Sequence, residues 1–98
     1  MSVRLAFLAT LEAKAGKSGE LAAFLRAGRD LAAREEGTVT WYAFRIDEDH
    51  YGIFDTFETD DARTAHLSGP IPAALAGVAG EMLASEPSIQ PVDIIAVK

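Results

Sequence analysis

The segment TVTWYAFRI, residues 38–46, limits the fold more than any other, because neither of its alternating faces is polar. One set is Val39, Trp41, Ala43 and Arg45, and the other is Thr40, Tyr42, Phe44 and Ile46. β-Branched and aromatic residues at this density read as a strand. A strand that is apolar on both sides must be covered on both. Asp47 to His50 form a polar turn, and YGIFDTFE, residues 51–58, returns as the second half of a hairpin.

The flanking segments repeat the pattern. VRLAFLA, residues 3–9, reads as a strand with Val3, Leu5 and Phe7 against Ala6 and Leu8. VDIIAV, residues 92–97, reads as the last strand, with Val92, Ile94 and Ala96 against Ile95 and Val97. Between them, Leu21, Phe24, Leu25, Gly28, Leu31 and Ala32 recur at helical spacing from Ser18 or Gly19, and Gly37 is placed to stop that helix in the left-handed conformation. Gly28 on the apolar side predicts a close-packing position. Asp60 is the expected N-cap of a second helix carrying Ala62, Ala65 and His66. Gly69, Pro70 and Pro72 break it before Ile71, Leu75, Val78 and Met82 resume the stripe. The order is βαββαβ, a ferredoxin-like α+β fold with its second helix interrupted, in one domain spanning 1–98.

Two helices cover one face of such a sheet. The other face is predicted to pack against the same face of a second chain, giving a homodimer with facing antiparallel sheets.

Composition removes several function classes. Nine Lys and Arg against 15 Asp and Glu leave a net charge of −6, the wrong sign for a nonspecific nucleic-acid surface. No cysteine excludes disulfides, thiolate nucleophiles and Cys-based zinc or iron–sulfur sites. No apolar run reaches transmembrane length and MSVRLAFLAT lacks a signal-peptide pattern, so no membrane association and a cytoplasmic location are expected. No dinucleotide, Walker A, HExxH, GxSxG or EF-hand spacing is present.

The chemistry must come from scattered residues. His66 stands before the Gly69–Pro70 break, where a neutral imidazole could take a proton from a phenol or hydroquinone, or could instead bond a loop carbonyl. Asp55 interrupts an apolar strand and needs a partner if buried. It could orient His66, hold a substrate hydroxyl, or pair with Arg45 on the neighbouring strand. Trp41, Tyr42, Phe44, Tyr51, Phe54 and Phe57 concentrate aromatic surface in the hairpin, as core, as interface or as the lining of a flat pocket. Trp41, Tyr51, Phe57 and Arg45 are the expected substrate-binding residues, with His66 and Asp55 catalytic.

DTFETDDARTAHLSG, Asp55 to Gly69, resembles the strand-to-helix signature of the antibiotic biosynthesis monooxygenase family: an acid, an aromatic two positions on, an alanine in the next helix, then Ala-His. Here these are Asp55, Phe57, Ala62, Ala65 and His66. The resemblance implies a dimeric α+β barrel and a monooxygenase that oxidises a quinol or polycyclic phenol with dioxygen, using no flavin, haem or metal. It maps the helix histidine to His66, the strand acid to Asp55, and pocket aromatics to Trp41, Phe57 and Tyr51. Two positions depart from the pattern, since the strand acid is commonly Glu and the aromatic commonly Trp or Tyr. Phe57 has no N–H or O–H to offer a substrate. The alternative is a non-catalytic small-molecule-binding or structural dimer of the same fold.

Overall fold

Strand pairing decides where the apolar hairpin goes. In the computed structural model, which describes residues 3–98, the elements are β1 (Leu5–Glu12), α1 (Ser18–Ala33), β2 (Thr38–Arg45), β3 (His50–Phe57), α2 (Asp60–Leu67), α3 (Pro70–Met82) and β4 (Ser88–Asp93). The strands form one antiparallel sheet in the order β2-β3-β1-β4, the expected ferredoxin-like arrangement with its second helix divided in two. β2, the two-faced strand, is therefore an edge strand.

The register sorts the side chains. Trp41, Ala43 and Arg45 of β2 lie opposite Asp55, Ile53 and Tyr51 of β3, which in turn face Phe7, Ala9 and Leu11 of β1. This face receives the helices. Leu21 and Leu25 of α1 and Leu75 of α3 pack onto Ala9, Leu11, Tyr51 and Ile53 to form the core. The opposite face carries Leu8, Tyr42, Phe44 and Phe54, and no helix among the described residues covers it; Tyr42 is 59% exposed. There Phe44 lies across Gly52, its partner in the register, so close that any side chain at Gly52 would collide with the ring.

Four local expectations are corrected. β1 runs to Glu12 rather than residue 9, because its far end pairs with His50. β4 begins at Ser88, four residues before the expected strand, with Pro91 inside it; β4 is the other edge, where a residue without an N–H leaves no neighbour unsatisfied. Beyond the bond from Ile94 N–H to the Arg4 carbonyl the chain leaves the sheet, and Ile95 and Val97 are exposed. Gly37 is not left-handed, since among the described residues only Gly16 has positive φ, at 79°. Gly37 matters instead for close approach: a Cβ there would come within 3.0 Å of Ala62 on α2.

The α2 N-cap is Thr59, not Asp60. Its hydroxyl accepts the Ala62 N–H at 3.1 Å, while Asp60 pairs with Arg63 one turn on at 3.0 Å. No helix among the described residues is long and apolar enough to cross a membrane. Thr59→Ala is expected to cost about 1 kcal/mol in urea unfolding, with the slope unchanged. An unaltered midpoint would show that the cap contributes nothing.

Candidate functional site

His66 sits in the last turn of α2, where the helix dipole favours a cation, and it is buried. Its Nδ1 lies 2.6 Å from Glu35 Oε1 and its Nε2 lies 3.0 Å from Asp55 Oδ2. Glu35 comes from the turn after α1, where its Oε1 also accepts from the Thr38 hydroxyl at 2.7 Å. Asp55 is only 2% exposed. Phe7 and Phe57 meet edge to face beneath the imidazole, at 5.8 Å between ring centres.

Two carboxylates on one ring require two N–H donors, and only the imidazolium supplies both. Burial works against that charge, but the hydrogen bonds to Asp55 and Glu35 and the attraction of both acids outweigh it. The His66 pKa is held above its usual value. In this form the ring has no lone pair to receive a substrate proton. The nearest space is a cavity of about 30 Å³, the size of one water, lined by Trp41, Asp55 and His66 among apolar residues.

A larger opening lies on the other side of Trp41. Between α1 and the edge strand β2 is a cleft of about 510 Å³, within the range of small-molecule sites. Ala22 and Leu25 of α1, Trp41 and Ala43 of β2 and the arginines Arg26, Arg29 and Arg45 line it. Trp41 is common to the cleft and the small cavity, and its indole rests on Gly28, where a Cβ would be in contact at 3.4 Å. At one end Arg45 donates to the Tyr51 hydroxyl at 3.0 Å with its guanidinium 5.3 Å from the Tyr51 ring centre. The Tyr51 hydroxyl meets the Ser18 hydroxyl at 2.5 Å.

The expected site residues thus divide into two groups. His66 and Asp55 meet, one of the alternatives open to Asp55, in a buried ion triad whose third member is Glu35. Trp41, Tyr51 and Arg45 meet in the cleft. Phe57 joins neither opening as lining; it is fully buried in the core beside His66. Asp55 takes His66 rather than Arg45. Glu35 is 31 residues from His66 and stands in an ordinary charged run, REEG, so no local pattern marks it.

Because the raised His66 pKa stabilises the folded chain, that contribution is complete below about pH 6.5 and is lost as pH rises through the raised value. Urea unfolding of the native chain should therefore weaken between pH 6 and pH 9. His66→Gln should lose about 3 kcal/mol at pH 6 and show less of that decline, a comparison in which surface His50 cancels. Equal pH dependence in the two proteins would mean that His66 is not the group responsible.

No family model matches the chain, and no curated protein matches it in sequence. Solved structures do. The NE2512 protein of Nitrosomonas europaea, of unknown function, is 41% identical with a TM-score of 0.95, over 98% of this chain and 93% of that one. A second Nitrosomonas europaea protein, provisionally named an antibiotic biosynthesis monooxygenase, superposes at a TM-score of 0.82 with 12% identity, over 94% of this chain and 90% of that one. A Caulobacter crescentus protein with the same provisional name gives 0.77 and 23%, over 98% and 92%. The chain belongs to one family with NE2512, and its fold is that of the antibiotic biosynthesis monooxygenase-like proteins.

Proposed function

We propose that the protein binds a quinol or polycyclic phenol in the cleft between α1 and β2 and oxidises it with dioxygen as a cofactor-independent monooxygenase. The observation that carries this reading is the cleft itself, with Trp41 as a flat wall and Arg45 and Tyr51 as a polar end. A guanidinium beside a phenol favours the phenolate. An electron-rich phenolate can pass an electron to dioxygen directly. For an anthrone-type ring, the carbon then takes both oxygens as a hydroperoxide, and the O–O bond and the remaining C–H proton are lost as water. One oxygen atom ends in the quinone carbonyl, the other in water, and no outside reductant is needed. In this reading His66, Asp55 and Glu35 brace the fold behind Trp41, and Arg45 with Tyr51 holds the ionising oxygen.

One observation favours the alternative of a non-catalytic binding or structural dimer. Side chains fill the space around His66 and Asp55 down to about 30 Å³. Oxygen consumption with hydroquinones, naphthols and anthrones, using metal-free protein, separates the two. Protein-dependent uptake with labelled oxygen in the quinone is expected, and Arg45→Leu should slow it about a hundredfold. Absence of uptake across the panel would leave the binding reading.

The uncovered sheet face is proposed to carry a second copy, seated over Leu8, Tyr42, Phe44 and Phe54. Light scattering after gel filtration should give twice the 10.5 kDa chain mass, and Phe54→Glu should return it to one chain. A native mass of one chain at micromolar concentration would dismiss the facing-sheet dimer.

A further inference from the structure

We infer that the ligand of the α1–β2 cleft is a planar aromatic ring bearing a carboxylate, and that Arg26 and Arg29 select it. The inference rests on the cleft being a ligand site, and it is independent of whether oxidation follows.

Charge segregation carries it. The chain has 15 acidic and nine basic residues, six of the latter arginines, yet three of those six arginines line this one cleft and no Asp or Glu does. Arg26 and Arg29 stand one turn apart on α1, and Arg45 stands across from them on β2. Arg26 and Arg45 have no carboxylate partner among the described residues. Arg29 reaches only its neighbour Asp30, at 3.2 Å in an exposed pair that contributes little. Two cations outside the cleft are matched locally, Lys17 with Glu20 at 3.0 Å and Arg63 with Asp60 at 3.0 Å, so the weight of the argument lies on three arginines sharing one opening that no acid lines.

Unmatched guanidinium groups around a concave opening create a positive field in an otherwise acidic molecule. The guanidinium fork fits a carboxylate through two parallel hydrogen bonds and also stacks on aromatic rings. Trp41, Ala22 and Leu25 supply the apolar surface that a ring needs and a bare inorganic anion does not. Arg45 is already engaged with Tyr51 at the ring-hydroxyl end. Arg26 and Arg29 on the helix side are thus the pair open to an acid group.

The test uses the intact protein and a matched pair of probes, 1-hydroxy-2-naphthoate and 1-naphthol, with inorganic phosphate as a ringless anion. Calorimetry gives the affinities, and the indole N–H resonance of Trp41, the only tryptophan, reports occupancy of the cleft. The naphthoate should bind about tenfold or more tightly than the naphthol, and that preference should shrink as salt is raised. The double substitution Arg26→Gln with Arg29→Gln should reduce the ratio to about one, whereas Arg34→Gln, outside the cleft on the same segment, should leave it.

Equal affinity for the two naphthalenes, a preference insensitive to salt, or a preference surviving the double substitution would overturn the inference. So would binding of neither, or phosphate binding as tightly as the naphthoate. Oxygen uptake is scored separately. Acid-selective binding without uptake supports this inference and removes the monooxygenase reading, while uptake from 1-naphthol without acid selectivity does the reverse.

Discussion

The charge on His66 is the constraint around which the helix layer is arranged. A buried imidazolium needs two acceptors, and it finds them on separate segments: Glu35 after α1 and Asp55 in the middle of β3. The ring itself ends α2, so one side chain ties three parts of the fold together. The same charges meet the backbone of the helix break. A Cβ on Gly69, the N-cap of α3, would lie 3.3 Å from Glu35 Oε2, and the imidazolium stands in the last turn of α2, where the helix dipole favours a cation. The proline pair that opens α3 lets the chain turn there without losing helical bonds that matter.

From that brace the geometry of the cleft follows. Asp55 pairs across the sheet with Trp41, so fixing Asp55 also fixes the strand that carries the indole. Trp41 then stands between the filled interior at His66 and the open cleft at the sheet edge. α1 leaves that edge partly uncovered because its own apolar stripe is narrow: Leu21, Leu25, Gly28 and Ala32 are buried while Arg26 and Arg29 turn outward. Gly28 is the position where the helix lets the indole come close.

Much of the fold was legible, for a local reason. Alternation in residues 38–46 and 51–58 marks the hairpin, and helical spacing in residues 21–32 marks α1, because these patterns are properties of neighbouring residues. The errors also have local causes. Pro91 hid the start of β4, since a proline is acceptable in a strand only at a sheet edge, and which strands are edges is not written in any one segment. Thr59 and Asp60 are both good caps, and the backbone, extended at Thr59 and helical from Asp60, puts Thr59 at the cap position. Of the site, the concentration of aromatics in the hairpin was readable from residue type, whereas the partner of Asp55 stayed open between His66 and Arg45, and Phe57 went to the core.

The amino-acid order by itself determined the element types, the ferredoxin-like order and the presence of an apolar sheet face without a helix to cover it, because periodicity and turn chemistry act over a few residues. Tertiary structure alone decided which charges became partners. Glu35, Asp55 and His66 are far apart along the chain and each is unremarkable in its own segment, but folding brings them into one desolvated space where an unpaired charge would be costly. It also decided that Arg26, Arg29 and Arg45 share one opening, since a helix and an edge strand must pack before their outward side chains can face a common ligand.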